Sequence, residues 1–571
     1  MIKKLFDIIP KGQKKNTIIF FIMLITSMIL EALSLGLIFP VIMIFLSENY
    51  SYENFLVLEN LSKNYSDNQI LIWLVISIVF LYFLKNIFLF FLHVWKHSFA
   101  NNMSFLIQKK LFSRYLFEPY LNIIKENSAL KIRNLQMEAS KFSKCLGAYM
   151  ITIIEVMISI SLIFILFFFD PRLSSLIILI PLIMIIGFYL FAKLKTVNWS
   201  KEKIFHNGKA IKVLMECLSA MKEIKIFKKE NIFLEKYTYH EKRNLRLITF
   251  FNIFNDSPKI LIELVSIVAI CAGIYFMIIS GYQKGEIIAS LGLVTGAAFR
   301  IIPSTTRIIN SLNAIKINSP SIDLLHAELN DKNSIKNISS ENLIKNNEFK
   351  KNIFFKNVSF GYVGKQKLFS KLSFELNKKD KIFLFGESGS GKSTFIGLLI
   401  GLIKPIEGKV EIDGQNIYEK FDNLDKIFAY ISQENFLLDD TISYNITLSD
   451  KNKVDIQKFI KALKVSNLYN FVSDLPDKEN TVIGENAAFI SGGQRQRLAI
   501  ARAIYYDAEI LILDEATSEI DSDTEKKILA NVFREYEDRT LIIISHNKSN
   551  VKNCKKYFKI ENQGIVEIKS I

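Results

Sequence analysis

Six long apolar runs fill the first half of the chain and restrict that half to a fold embedded in a membrane. Several of them reach the roughly 20 residues that an α-helix needs to cross a hydrocarbon layer of about 30 Å. The first run is too long for a signal peptide and further runs follow it, so we expect six transmembrane helices rather than a cleaved leader. The runs cover residues 17–46, 70–95, 146–169, 173–194, 260–280 and 286–302.

Apolar and charged residues are segregated along the chain. Mean hydropathy is +0.23 although 22% of the residues are charged, and an apolar content of 50% excludes a disordered chain. The formal net charge of +16 is compatible with binding to nucleic acid or to a membrane surface. Only the distribution of the charge along the chain distinguishes these two possibilities. The four scattered cysteines lack the spacing of a zinc site or a disulfide framework, and are Cys145, Cys217, Cys271 and Cys554.

The loops between the runs carry that charge unevenly. Residues 96–144 contain nine Lys or Arg and residues 198–246 contain twelve, whereas residues 47–69 contain one Lys and four acids. Because loops rich in Lys and Arg stay on the cytoplasmic side, we expect the lysine-rich N-terminus and both basic segments to face the cytoplasm.

Composition also divides the chain into domains. Residues 1–315 form the expected transmembrane domain, residues 316–350 are a linker rich in polar residues, and residues 351–571 are a second domain. Within the basic segments, Gln108–Tyr120 and Lys209–Lys236 mix apolar and charged residues at helical spacing. We therefore expect membrane helices that continue well into the cytoplasm.

The second domain has the pattern of an α/β fold with a largely parallel sheet. Short β-rich runs alternate there with helical segments. The expected strands are Val358–Gly361, Lys381–Phe385, Ile427–Ile431, Ile510–Leu513 and Thr540–Ile544.

A phosphate-binding loop follows the strand Lys381–Phe385. The pattern is G-x-x-x-x-G-K-S between a strand and a helix, in which backbone N–H groups surround phosphate oxygens. Lys392 reaches the β- and γ-phosphates, and the Ser393 hydroxyl is a Mg²⁺ ligand. The residues expected to bind ATP here are Gly386, Ser388, Gly389, Gly391, Lys392, Ser393 and Thr394.

Two further motifs complete the expected nucleotide site. The strand Ile510–Leu513 ends in Asp514, a second Mg²⁺ ligand, and Glu515, which is placed to orient or deprotonate the attacking water. The Ser-Gly-Gly turn at Ser491 opens an apolar helix and is itself an anion-binding arrangement.

With these motifs the chain resembles an ABC transporter of the exporter type, a half-transporter with one α-helical membrane domain and one α/β P-loop ATPase domain. The resemblance covers essentially the whole length, and it implies ATP and Mg²⁺ as ligands and hydrolysis of ATP coupled to transport. It assigns adenine stacking to Tyr362, contact with Mg²⁺ and water to Gln433, an interface loop to Asp521 and a γ-phosphate contact to His546. The signature turn that it implies consists of Ser491, Gly492, Gly493 and Gln494.

The chain departs from the family pattern at several positions. None of them removes a group with a chemical role, so we expect a competent ATPase. The departures are Asn486-Ala487, Ile490, Glu519-Ile520 and Asn547.

The resemblance also implies a partner and a location. Each ATP of the family lies between the phosphate loop of one copy and the signature turn of the other, so we expect a homodimer or a heterodimer with a similar half. Closure of the two ATPase domains would reach the membrane helices through short coupling helices near Glu118–Tyr120 and Lys225–Glu230. We expect a multi-pass protein of the cytoplasmic (inner) membrane with its ATPase domain in the cytoplasm.

Ionisable residues in or beside the spans are the clue to the cargo, because each is costly in lipid. The basic ones are Lys85, Lys259, Arg300 and Arg307, and the acidic ones include Glu31, Glu155 and Glu263. Either Lys85 and Arg307 reach the cytoplasmic edge of the membrane and the others form internal pairs, or the basic residues line a cationic cavity for an anionic headgroup.

A closer resemblance favours the cationic cavity. Residues 299–309, the Asp256–Lys259 notch and the acidic first external loop are similar to the bacterial lipid-linked oligosaccharide flippases of protein glycosylation. In that group basic residues matching the four cations engage the pyrophosphate of a polyprenyl-linked glycan, and a short external helix would correspond to Tyr52–Leu61. The alternatives are export of a peptide such as a bacteriocin, or of a general lipid or drug. Six spans argue against a nucleic-acid-binding ATPase of the same superfamily.

Overall fold

The structure is a computed structural model. It describes residues 2–8, 10–37, 41, 65–125, 128–169, 187, 199, 201–279, 281, 284–330, 349–362, 364, 366–420, 423–433, 435–450, 453–484, 489–545 and 553–569. The chain forms two compact units. The first consists of Met1–Glu118 and Lys125–Lys336, and the second of Pro119–Ile124 and Asn337–Ile571.

Long helices make up the first unit. Residues 201–219 are also helical. The labelled helices of this half of the chain are α1 (Ile2–Ile8), α2 (Lys14–Gly36), α3 (Asp67–Leu116), α4 (Tyr120–Lys125), α5 (Ser128–Arg133), α6 (Ala139–Phe169), α7 (Met221–Ile226), α8 (Glu230–Ile279) and α9 (Lys284–Asn330), with a 3₁₀ turn at Lys11–Gln13 and a π-helical turn at Asn134–Glu138.

Four of the described helices are long and apolar enough to span a membrane. The spans are Lys15–Ser34, Asn68–Leu116, Leu130–Phe164 and Lys259–Ile279. The predicted run 286–302 is helical within α9. The run 173–194, apart from Gly187, and the external segment 52–61 lie outside the described residues.

The helices extend far beyond the apolar runs, as predicted. Helix α3 has 50 residues and continues to Leu116, and α8 begins 30 residues before the run that starts at residue 260. At about 1.5 Å per residue, each of these helices is about 75 Å long, more than twice the thickness of a hydrocarbon layer. Short helices occur beside both predicted coupling segments, α4 after Glu118 and α7 up to Ile226.

Helix α9 corrects the expected start of the linker. It runs without interruption past residue 316 to Asn330. Ile315, Ile322 and Leu325 recur at helical spacing and are buried, so this face packs in the core despite the polar composition around it. The division between the two units falls after Lys336.

Two sheets organise the second unit. The six-stranded sheet has the order β10-β9-β3-β8-β7-β6, and a four-stranded antiparallel sheet has the order β2-β1-β4-β5. The strands are β1 (Asn352–Phe360), β2 (Phe369–Asn377), β3 (Lys381–Phe385), β4 (Glu407–Ile412), β5 (Gln415–Asn416), β6 (Phe428–Ile431), β7 (Ile510–Asp514), β8 (Thr540–Ile544), β9 (Lys556–Glu561) and β10 (Gly564–Ile568). The helices are α10 (Lys392–Leu399), α11 (Ile417–Lys420), α12 (Leu424–Ile427), α13 (Ile442–Thr447), α14 (Ile456–Val465), α15 (Tyr469–Ser473), α16 (Gly492–Tyr505) and α17 (Ser522–Glu535), with a 3₁₀ turn at Lys478–Asn480.

The larger sheet is parallel except for β10, which confirms the α/β prediction. Its strands are buried on both faces, since alternate residues such as Ile542 and Ile543 enter different core clusters. The carboxyl ends of β3, β6, β7 and β8 therefore meet at one edge, where ligands bind in open parallel sheets. The antiparallel sheet, which the sequence reading did not predict, packs on one face through Phe355 and Phe374.

Candidate functional site

The phosphate loop leads from β3 to the N-terminus of α10. Gly391 is the N-cap of that helix and has φ +104°, in the left-handed region. A Cβ atom at this position would lie 3.1 Å from Cζ of Phe369. Both the backbone conformation and the packing therefore require glycine. Gly389 has φ +80°, so the loop turns twice through conformations that expose its N–H groups.

Two side chains frame this loop. The Lys392 ammonium donates hydrogen bonds to the carbonyl oxygens of Gly386 at 2.8 Å and of Glu387 at 3.2 Å, so it lies over the loop. The Tyr362 hydroxyl is 3.2 Å from Oγ1 of Thr394, on the first turn of α10. The ring expected to stack on adenine is thus beside the helix that follows the phosphate loop.

Asp514 ends β7, where 5% of its surface is exposed. The Tyr430 hydroxyl on the neighbouring strand β6 donates a hydrogen bond to Oδ2 of Asp514 at 3.0 Å. Burial raises the pKa of Asp514, while the hydrogen bond from Tyr430 acts in the opposite direction. Burial also raises the pKa of Tyr430, so this hydroxyl keeps its proton and remains a donor.

Glu515 and Gln433 are in direct contact. Nε2 of Gln433 donates a hydrogen bond to Oε2 of Glu515 at 2.8 Å. Glu515 has φ +51°, and its N–H is held by the carbonyl oxygen of Ile544 at 2.9 Å. The left-handed backbone turns its side chain out of the strand, as is common for residues at functional sites.

The predicted signature turn caps α16. Ser491 and Gln494 form a capping box, in which Oγ of Ser491 accepts from the N–H of Gln494 and the Gln494 side chain accepts from the N–H of Ser491. The first turn of α16 thus begins a 14-residue helix whose positive dipole end is suited to a phosphate.

Gln496 ties this helix to the loop after β7. Its side chain, 3% exposed, donates to Oγ of Ser518 at 2.9 Å and accepts from the N–H of Glu519 at 2.9 Å. A Cβ added to Gly492 would lie 1.9 Å from the Glu519 carboxylate, so a larger residue there would have to displace that side chain. Asp521 caps α17 by accepting from the N–H of Thr524.

Sequence reasoning missed Tyr430 and Gln496. A hydroxyl in the otherwise apolar strand β6, and an amide on the buried face of α16, were the available signals. His546 and the departure at residues 486–487 lie outside the described residues.

The donor set at the sheet edge fits a hard divalent cation. Ser393 offers a hydroxyl, Gln433 an amide oxygen and Asp514 a buried carboxylate, and Mg²⁺ prefers oxygen ligands of these kinds.

Three of the four predicted membrane cations form ion pairs. Arg300 Nε is 2.6 Å from Oε1 of Glu31, and Lys85 Nζ is 3.6 Å from the same atom, so one fully buried carboxylate serves two cations. Arg307 Nε is 2.5 Å from Oε1 of Glu155. Lys259 is exposed on α8.

The first unit also contains a cavity of about 460 Å³ between α3, α6 and α9. Arg307 and Glu155 line it, together with basic side chains that sequence reasoning did not select. The latter are His93, Lys96, His97 and Lys144.

Two family models match the chain. The model for the ABC transporter transmembrane region covers residues 16–299, and the ABC transporter model covers residues 369–518. The chain belongs to the ABC transporters. With one region of each kind, this ABC transporter is an exporter-type half-transporter with a helical membrane domain followed by a nucleotide-binding domain.

Two known proteins resemble this ABC transporter over most of its length, and a third resembles it over a shorter region. A protein named ATP-dependent lipid A-core flippase from Bordetella avium is 27% identical over 86% of this chain and 83% of its own. A protein of the same name from Wigglesworthia glossinidia brevipalpis is 26% identical over 88% and 86%. One from Haemophilus influenzae is 39% identical over 37% of this chain and 36% of its own.

The fold comparison agrees. A bacterial Atm1-family ABC exporter solved with ATP bound matches with a TM-score of 0.78 and 18% identity, over 98% of this chain and 96% of the other. The family models and the flippase relatives show that this ABC transporter is an exporter that binds nucleotide and couples ATP hydrolysis to transport.

Proposed function

We propose that this exporter is a flippase that moves an anionic amphipathic lipid, preferably a polyprenyl-diphosphate-linked oligosaccharide, across the cytoplasmic membrane. The observation that carries the proposal is the cationic cavity between three helices of the membrane domain, since a cavity lined by more basic than acidic side chains favours an anionic ligand. Relatives named lipid A-core flippases support a lipid substrate.

Different residues of the chain carry out different parts of ATP binding and hydrolysis. The turns of the phosphate loop and Lys392 bind the phosphates, and Tyr362 positions the base. Glu515 holds the attacking water and accepts its proton at a carboxylate oxygen, while Gln433 orients that carboxylate through its hydrogen bond. The family pattern assigns the contact with the γ-phosphate to His546.

Ser393, Asp514 and Gln433 would hold the metal. Mg²⁺, when bound, neutralises charge that develops on the β- and γ-phosphates. The buried hydrogen bond from Tyr430 orients the Asp514 carboxylate toward that position.

A second half-transporter completes the site. Each chain carries one phosphate loop and one signature turn, so two copies form two sites, each with the loop of one chain and the turn of the other. ATP then favours the closed pair of ATPase domains, and hydrolysis removes that preference. The helices that extend from the membrane spans, with α4 and α7 at their ends, transmit the change to the cavity by alternating access.

Reconstituted proteoliposomes test the proposal. We expect ATP-dependent translocation of a labelled polyprenyl-diphosphate-linked disaccharide, and none with Glu515→Gln. The matched probe is the same disaccharide joined to the polyprenol without phosphate. Equal translocation of both probes would contradict an anionic substrate, and translocation of neither would contradict the proposed function.

A further inference from the structure

The positive and negative charges of the side chains around the cavity do not cancel. Lys96, Lys144 and Arg307 are cations, and Glu155 is the carboxylate among the described lining residues, so the lining carries a formal charge of +2 with neutral histidines. The Glu155 carboxylate is already engaged by Arg307 through two hydrogen bonds, at 2.5 and 3.2 Å.

Lys96 is a buried cation of this lining, and the nearby carboxylate of Glu155 is already hydrogen-bonded to Arg307. Lys96 is 3% exposed, so its ammonium does not reach the surface in the way that snorkelling lysines do. Among the described residues no carboxylate lies within 4 Å of it, and its hydrogen-bond contact is with Nδ1 of His93 at 3.4 Å. A buried charge of this kind is costly unless a counter-charge comes from elsewhere.

Lys85, eleven residues earlier on the same helix, is the contrasting case. It is also buried, but Glu31 lies 3.6 Å away and Ser34 accepts a hydrogen bond from it at 3.4 Å. Arg300 shares that carboxylate. Lys85 therefore has a carboxylate and a hydroxyl of the protein within reach, although the Glu31 cluster as a whole keeps a formal charge of +1.

A polar group beside the cations indicates the second part of the ligand. Asn310 lines the same cavity, and among the described residues no donor reaches its buried Oδ1 acceptor. Leaving a buried acceptor unpaired carries the cost of removing it from water without a replacement hydrogen bond. An anion cannot donate to this oxygen, whereas a sugar hydroxyl can.

We propose that Lys96 binds the phosphate of the transported lipid and that Asn310 accepts a hydrogen bond from the first sugar. This assignment rests on the proposed function. It also selects among the basic residues of the membrane domain, because it places Lys96 and Arg307 at the headgroup and makes Lys85 and Arg300 structural.

Binding to the full-length protein in phosphatidylcholine nanodiscs tests the assignment with three probes: farnesyl diphosphate, farnesyl-diphosphate-linked disaccharide, and the disaccharide farnesyl ether without phosphate. We expect Lys96→Gln to weaken binding of both phosphorylated probes at least tenfold, and Lys96→Arg to restore it to within threefold. Asn310→Ala should weaken only the phosphorylated probe that carries sugar.

Lys85→Gln is the matched control, a buried cation on the same helix, and should bind all probes within threefold of the parent. The assignment would be overturned if Lys96→Gln bound both phosphorylated probes as tightly as the parent, or if Lys85→Gln weakened their binding as much as Lys96→Gln. In either case, transport by the parent protein would still support the proposed function. A parent that neither binds nor transports a phosphorylated probe would overturn both. Thermal unfolding of each variant separates a binding defect from misfolding.

Discussion

Glu515 occupies a left-handed backbone conformation that a side chain with a Cβ adopts only when its surroundings enforce it. The hydrogen bond from its N–H to the carbonyl oxygen of Ile544 and the contact of its side chain with Gln433 hold Glu515 in this conformation. We expect Glu515→Gln to retain ATP while turnover falls by at least about 100-fold, the contribution of a positioned general base. Filter binding of labelled ATP and phosphate release measure the two effects. Turnover at the parental rate would refute the role.

Tyr430 acts on the reaction through Asp514. Tyr430→Phe removes one hydrogen bond to a charged group, worth about 1.5–3 kcal/mol at most. We expect a threefold to tenfold higher Mn²⁺ concentration for half-saturation, measured by electron paramagnetic resonance with ATP present, and unchanged ATP binding in EDTA.

Tyr418→Phe is the control for Tyr430→Phe. The Tyr418 hydroxyl is also buried in the second unit, but it donates to the backbone carbonyls of Leu398 and Ile403. This variant should lower thermal stability and leave the metal dependence unchanged. A metal dependence unaltered in Tyr430→Phe would mean that its hydroxyl does not orient Asp514.

At the scale of elements, the Glu31 carboxylate links three helices of the membrane domain. Glu31 lies on α2, Lys85 on α3 and Arg300 on α9. Glu31→Gln leaves the buried Lys85 and the partly exposed Arg300 without this counter-charge, so we expect a loss of up to about 3–5 kcal/mol. Thermal unfolding in detergent should show a lower midpoint, and adding Arg300→Gln to Glu31→Gln should recover part of it.

Glu216→Gln is the control at this scale. Glu216 pairs with Lys212 on the surface, with more than half of each side chain exposed, and such pairs contribute about 0–1 kcal/mol. Its unfolding midpoint should stay close to that of the parent. Equal losses in Glu31→Gln and Glu216→Gln would show that the buried cluster does not hold the helices together.

At the scale of the whole molecule, the shared ATP site predicts complementation between two inactive chains. Lys392→Ala disables the phosphate loop and Ser491→Arg blocks the signature turn, so each homodimer should be inactive. In the mixed dimer one site combines an intact loop with an intact turn. We expect co-purified mixed dimers, isolated with two affinity tags, to recover a measurable part of the parental ATPase rate. No recovery in the isolated mixed dimer would argue against sites shared between chains.

The sequence predicted the parts of this molecule whose partners are local. The phosphate loop lies within nine residues between a strand and a helix, and its spacing alone identified it. The contacts of Tyr430 with Asp514, and of Arg300 with Glu31, join residues 84 and 269 positions apart. The periodic pattern of apolar residues along a sequence does not identify pairs of residues that are so far apart in the chain. For the same reason the composition predicted a linker from residue 316, whereas α9 continues to Asn330. The buried face of that part of α9 depends on tertiary packing.

Residues Pro119–Ile124 belong to the second compact unit although more than 200 residues separate them from the rest of it. Leu121 packs there against the same apolar cluster as Tyr430. No single cut in the chain can therefore release the ATP-hydrolysing half intact. A truncated protein that starts after the last membrane helix would expose the apolar surface that Leu121 covers, and a synthetic peptide of residues 117–126 is the missing piece that such a fragment would need.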